Sequence, residues 1–259
     1  MHSAADPLMV VEQICRSRKD RQGNETLILH NIDLVLQRGC MTVIFGPSGG
    51  GKSTLIRLLN RLDEPTSGKI RLAGRDIGEI DPLLLRRRVA LLLQRPFLFP
   101  GTVLVNLQRP FHFQDKEPPG QDDPGLQKLL EETQVPPSWL DREASSLSQG
   151  QQQRVCLARS LIVDPEVLLL DEPTSSLDRP TADRLADTLR HICRVRGLAA
   201  LMVTHDLRLA ERTGDHLAYL EGGRILEQGE ARQMLAWPQS KPLQEFLHQP
   251  PPNDSPHDR

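Results

Sequence analysis

The sequence predicts an α/β fold: an open, mixed sheet with parallel central strands and functional groups at the carboxyl ends of those strands. Three observations predict it. Strand-like and helical runs alternate along the chain, the order that builds parallel sheets. Residues 46–53 read Gly-Pro-Ser-Gly-Gly-Gly-Lys-Ser, the pattern GxxxxGK[ST], with a β-type run before it and a helical run after it. Residues 167–172 read Val-Leu-Leu-Leu-Asp-Glu, a buried-type strand ending in paired carboxylates, Asp171 and Glu172. Such acids are costly at that position unless a cation or a reaction needs them.

The elements follow in order. Residues 8–14 and 27–36 have strand character, joined by a polar link at 16–24. Met41–Phe45 is a β-type run that ends at Gly46. Lys52 opens a helix with Leu55, Ile56, Leu58 and Leu59 on its apolar side. A turn at residues 65–68 leads to a short strand at 69–72, and 89–93 is a buried strand that ends at Gln94. Residues 95–146 are rich in proline and read as a mostly helical subdomain with long irregular connections. Residues 151–162 are helical, 167–170 a strand, 181–196 an amphipathic helix, and 199–203 a strand that ends at Thr204 and His205. Gly222 and Gly223 mark a hairpin between 217–220 and 224–227. Residues 238–259 are proline-rich and polar, and are expected to be disordered.

Composition narrows the function. The formal net charge of −2 gives no chain-wide basic field, and aromatics at 3% leave few base-stacking platforms, so no nucleic-acid partner is expected. No apolar run approaches the roughly 18 residues of a membrane span, and residues 1–7 lack a signal-peptide core. The expected location is cytoplasmic, with any membrane work done through a partner subunit. Cys15, Cys40, Cys156 and Cys193 are far apart without a CxxC pair, which predicts small, partly buried hydrophobes rather than a disulfide framework or a zinc site.

Gly46, Gln94, Asp171 and His205 each follow an expected strand, and in an open parallel sheet such positions meet in one crevice. Each has its own chemistry. Gly46, Pro47, Ser48, Gly49, Gly50 and Gly51 would wrap backbone N–H groups around phosphate oxygens, aided by the positive end of the next helix. Lys52 would contact the outer phosphates, and the Ser53 hydroxyl would ligate Mg²⁺. Asp171 would hold the metal through water, and Glu172 would act as general base. Strand alternation would send these two acids to opposite faces. Gln94 would reach the metal, although an ordinary strand-terminal glutamine reads the same alone. His205 would bond the γ-phosphate. At 147–154, Leu-Ser-Gln-Gly-Gln-Gln-Gln-Arg begins a helix; Ser148 and Gly150 would face phosphate, or Ser148 is a plain N-cap, and sequence physics leaves these even.

Together these residues resemble the nucleotide-binding subunit of ABC transporters, from about residue 8 to about residue 236. Gly46 to Ser53 matches Walker A, with Thr54 beside it; Gln94 matches the Q-loop and 147–151 the signature motif. Residues 168–172 match Walker B, 175–178 the D-loop and His205 the H-switch. The resemblance implies a P-loop NTPase of the ABC-type ATPase fold. Residues 8–94 and 163–236 would form its core with a small antiparallel β-subdomain, and 95–162 an inserted helical subdomain. It implies ATP and Mg²⁺ as cofactors and a head-to-tail dimer, of like or unlike subunits. Each ATP would lie between Walker A of one protomer and Ser148, Gly150 and Gln151 of the other, with Asp178 at the same junction. It also implies an integral membrane permease as partner, met near Phe97, Leu98 and Phe99, and a location on the inner face of the cell membrane. The same phenylalanines and leucine read nearly as well as subdomain core. The stretch 94–107 looks like small ATPases paired with metal-export-type permeases and is similar to phosphate-importer ATPases.

Two departures stand out. The signature motif carries Gln149 where the family has a glycine, which reduces local backbone freedom. The family stacks adenine on an aromatic residue after the first strand, yet no aromatic precedes Phe45. Arg18, or Arg16, is expected in its place, since a guanidinium stacks on a ring. The competing reading is a soluble ABC-type ATPase acting on DNA or ribosomes. A P-loop kinase for a small molecule would leave 147–151 and His205 unexplained.

Overall fold

The computed structural model describes residues 7–19, 23 and 25–248. In chain order its strands are β1 (Pro7–Lys19), β2 (Glu25–Gln37), β3 (Met41–Phe45), β4 (Ser67–Leu72), β5 (Arg75–Asp76), β6 (Val89–Leu92), β7 (Val167–Asp171), β8 (Ala199–Thr204), β9 (His216–Glu221) and β10 (Arg224–Glu230). Its helices are α1 (Lys52–Leu59), α2 (Pro82–Arg88), α3 (Val103–His112), α4 (Pro124–Glu132), α5 (Gln149–Leu161), α6 (Arg179–Arg196), α7 (Leu207–Thr213), α8 (Ala231–Ala236) and α9 (Lys241–His248).

Two sheets carry the architecture. The main one is six-stranded in the order β10-β9-β3-β8-β7-β6, parallel except for the β9–β10 hairpin. The other is four-stranded and antiparallel, in the order β2-β1-β4-β5. The strands β3, β7 and β8 are buried along their whole length, as parallel strands covered on both faces must be. Their alternate residues divide between two apolar cores. Val43, Phe45, Leu168, Leu170 and Met202 face the helices α3 to α6, while Ile44, Leu169, Leu201 and Val203 face α1 and the antiparallel sheet. Residues of the proline-rich stretch, among them Leu107, Leu126 and Leu130, share the first core, so that stretch is packed onto the main sheet.

Register places the site. Phe45 lies opposite Thr204, Asp171 opposite Val203, and Leu92 opposite Leu170. The chain therefore leaves β3, β8, β7 and β6 at one edge, and Gly46, His205, Glu172 and Gln94 emerge side by side, as expected of a parallel sheet.

Several local expectations change. Residues 16–19, read as polar link, continue β1, with Arg18 opposite Thr26 on β2. Within 95–146, Thr102 caps α3 by accepting from Val105 N–H at 3.3 Å. Pro110 sits in the last turn of α3, where it withholds one i→i−4 donor only two residues before the helix ends at His112. The helix α2 was not expected; Asp81 caps it through Leu83 and Leu84 N–H at 2.9 and 3.0 Å, and Pro82 opens it. The expected disorder from residue 238 does not hold for α9. The Glu227 carboxylate holds Gln239 and Ser240 N–H at 2.8–3.1 Å, Leu243 is buried, and Phe246 packs its ring on Phe45 and Tyr219 at 5.9 and 5.3 Å. Residues 249–259 lie outside the described residues.

Candidate functional site

The phosphate loop is shaped by contacts that only glycine permits. At Gly46 φ is +145°, and a Cβ there would fall 2.2 Å from the Leu220 carbonyl oxygen. At Gly51 φ is +100°, and a Cβ would meet the Leu29 side chain at 2.7 Å. Gly51 caps α1 without a side-chain acceptor, so the first-turn N–H groups present a positive end with no side-chain partner. Lys52 is buried and donates from Nζ to the carbonyls of Gly46 and Pro47, both at 2.8 Å. Burial pushes its ammonium below the ordinary lysine value, while Glu172 and Asp171 pull it back up. Thr54 is half-buried in the first turn of α1.

Asp171 ends β7 and accepts from the Ser53 hydroxyl at 3.0 Å. Burial raises its carboxyl above the ordinary range; the Ser53 bond opposes this and the neighbouring Glu172 charge adds to it. Glu172 takes φ +45°, so a left-handed kink, rather than strand alternation, parts the two acids. Its Oε1 lies 3.1 Å from His205 Nδ1, and its Oε2 accepts from Gln94 Nε2 at 3.2 Å. The His205 bond lowers the carboxyl of Glu172, and Glu172 in turn raises the imidazole of His205. Gln94 also donates to Ser175 Oγ at 3.1 Å, so its amide bridges Glu172 and Ser175.

Ser148, Gly150, Gln151 and Asp178 form a second group. Ser148 caps α5 in a capping box: its Oγ accepts from Gln151 N–H at 3.4 Å, and Gln151 Oε1 accepts from Ser148 N–H at 2.9 Å. The capping reading of Ser148 is thus realised, and its hydroxyl proton is left over for an acceptor. Gly150 abuts the start of α6, where a Cβ would sit 2.9 Å from Thr181 Cγ2. Asp178 caps α6, accepting from Thr181 N–H at 3.3 Å. Gln149 stands in the first turn of α5 without positive φ, so the missing glycine of the signature motif costs no backbone strain. No hydrogen bond or ion pair among the described residues joins this group to Lys52, Ser53, Asp171, Glu172 or His205.

Arg16 is already paired. Its guanidinium grips Asp63 at 2.7 and 3.1 Å, beyond the far end of α1 from the phosphate loop. Arg18 is exposed opposite Thr26, two residues before Ile28, whose carbonyl touches the Gly51 position. Sequence reasoning missed Gln153, which lies on the stripe of α5 shared with Leu157 and Leu161 and is buried with them. A polar residue on an apolar stripe was the available signal.

A parallel sheet with a phosphate loop after β3 and a buried acid and a second acid after β7, one strand away across β8, defines a nucleoside-triphosphate-hydrolysing class of protein. Comparison with known proteins makes this particular: residues 29–175 match the family described as ABC transporter. Protein STAR1 of Oryza sativa subsp. japonica is 42% identical over 87% of this chain, which spans 63% of that protein. The glutamine transport ATP-binding protein GlnQ of Escherichia coli (strain K12) is 37% identical over 86% of this chain and 93% of its own length. Among solved structures, the ATP-binding cassette MJ0796, a dimer in a post-hydrolysis state bound to ADP and Pi, superposes with a TM-score of 0.76. The two are 27% identical over 87% of this chain and 99% of that one. The chain belongs to the ABC transporter family. It is one of the family's ATP-binding subunits, a cassette that binds and hydrolyses ATP.

Proposed function

We propose that this chain works as a dimer, of two copies or with a related subunit, that binds Mg-ATP head to tail and drives a membrane-embedded permease. The observation that carries the reading is the meeting of Lys52, Ser53, Asp171, Glu172, Gln94 and His205 at one sheet edge. The separate group at Ser148, Gly150, Gln151 and Asp178 supports the dimer: among the described residues no hydrogen bond or ion pair ties it to the phosphate loop, and it would face a partner's nucleotide. The backbone from Gly46 to Thr54 wraps the phosphates, with Lys52 exchanging the Gly46 and Pro47 carbonyls for phosphate oxygens. Arg18 stacks on the base; ATP affinity unchanged in Arg18→Ala would remove it from that role.

The residues fit Mg²⁺. Ser53 Oγ and Asp171 Oδ1 are hard oxygen donors 3.0 Å apart, and the raised carboxyl of Asp171 marks a buried charge that a cation would relieve. No cluster of three His, Cys, Asp or Glu side chains forms a metal cage among the described residues, and Mg²⁺ needs none, since it keeps waters and phosphate oxygens as ligands. When bound, it neutralises charge on the β- and γ-phosphates.

Glu172 is the base that takes the proton of the attacking water. Oxygen of that water bonds to the γ-phosphorus, the bond to the β-bridging oxygen breaks, and ADP leaves with the electron pair. Both carboxylate oxygens of Glu172 are engaged, by His205 and Gln94, which orients the carboxylate, and each oxygen keeps a further lone pair for the water. His205 turns to the γ-phosphate.

Residues 8–94 and 163–236 serve as the ATPase core and 95–162 as the helical subdomain. The permease docks beside Gln94, where Phe97 and Phe113 are 59% and 67% exposed and linked through the Phe99 ring; Leu98 is partly buried and packs against the core. No helix among the described residues is long and apolar enough to cross a membrane, and the chain works on the inner face of the cell membrane through that partner. A soluble role on DNA or ribosomes is the second reading. Purification of tagged chain from detergent extracts decides: an integral membrane protein in stoichiometric amount supports the first, and ribosomes or DNA in its place overturn it.

A further inference from the structure

One buried side chain ties the two groups together. Gln153 of α5 is 1% exposed. Its Nε2 donates to the Leu93 carbonyl at 3.1 Å, which sets the amide's orientation, since the flipped amide would place oxygen against oxygen. Its Oε1 is buried and has no hydrogen-bond partner among the described residues. A buried amide with an unused acceptor is unfavourable and calls for a reason. Packing supplies none, because Leu157 and Leu161 fill the same stripe without a polar cost.

The reason lies in what the bond touches. Leu93 precedes Gln94, whose amide holds Glu172 at 3.2 Å and Ser175 at 3.1 Å. One to two turns further along α5, Cys156 Sγ and Arg159 Nη2 reach the Phe97 carbonyl at 3.5 and 2.6 Å. The helix therefore grips both ends of the segment 93–97, and the same helix begins at Ser148 and Gly150. We infer that Gln153 is a positioning residue that carries a displacement of the α5 N-terminus to Gln94, and through Gln94 to Glu172. The spare acceptor gives the amide a second bond to make when the segment moves, so one side chain can hold two arrangements of it. This rests on the proposed contact of Ser148 and Gly150 with a partner's nucleotide, and it makes the base of one site answer to occupancy of the other.

Gln153→Leu tests it, with ATP binding, steady-state hydrolysis and thermal melting measured on the full chain. The unpaired acceptor leaves with the donor, but the Leu93 carbonyl loses its partner, so melting falls by at most a few degrees while ATP affinity stays near wild type. The inference expects kcat to fall about tenfold, the worth of one hydrogen bond, at unchanged KM. Wild-type kcat overturns it. A joint fall of melting temperature, affinity and kcat also overturns it, because Gln153 is then only a structural member. If Gln153→Leu does not fold, Gln153→Met takes the same measurements. Glu172→Gln is measured beside it: wild-type hydrolysis there removes the reading of the site itself, whereas hydrolysis lost there but kept in Gln153→Leu removes only the role of Gln153.

Discussion

The carboxylate of Glu172 meets the imidazole of His205 at 3.1 Å, and each changes the proton affinity of the other. The imidazole is raised from an ordinary 6.5 and the carboxyl lowered from an ordinary 4.5. The stabilisation from His205 is complete below its ordinary value and is lost as pH rises through its raised one. That from Glu172 is complete above its ordinary value and is lost as pH falls through its lowered one. The pair is therefore strongest between about pH 4.5 and 6.5 and loosens on the alkaline side. NMR titration of the His205 ring checks this: Glu172→Gln should lower its pKa toward the ordinary value. An unchanged titration would show that the contact carries no charge.

Asp171 behaves oppositely. Burial raises its carboxyl, so its ionised form is penalised in the fold. The penalty grows as pH rises through the ordinary aspartate range and persists at neutral pH. Asp171→Asn, which keeps an acceptor for Ser53, should melt higher without nucleotide; a gain of about 1 kcal/mol corresponds to about 2–4 °C for a chain of this size. The same variant should lose the extra stabilisation that Mg²⁺ adds to ATP. A lower melting temperature without nucleotide would mean that the charge is satisfied within the protein.

Gly150 has a packing role separable from any phosphate contact. A methyl added there meets Thr181 Cγ2 at 2.9 Å, on a short branched side chain that cannot swing away. Gly150→Ala should cost about 1–3 kcal/mol, the usual penalty of overpacking. Adding Thr181→Ser removes the clashing methyl and should restore most of it in calorimetry. Activity that stays low in the restored double variant would locate the remaining loss at the nucleotide.

Much of this was legible in the sequence because it is local. The phosphate loop, the capped helix α5, the acid-terminated β7 and the Gly222–Gly223 hairpin each depend on neighbours in the chain. Long-range partners were hidden. Asp63 pairs with Arg16 across a long stretch of chain, and Phe45 with Tyr219 orders a tail whose composition reads as disordered. The parting of Asp171 from Glu172 was anticipated through strand alternation, but its cause is a single left-handed residue that no sequence pattern announces. Gln153 escaped notice because burial gives it meaning and only the fold shows burial.

The central claim is that Glu172 performs hydrolysis in a site completed by a second subunit. Sedimentation of Glu172→Gln with and without Mg-ATP, read beside its rate of phosphate release, tests it most directly. The account predicts retained ATP binding, phosphate release reduced to background, and a stable ATP-bound dimer. Hydrolysis at the wild-type rate, or an ATP-bound species that remains a monomer, would contradict it.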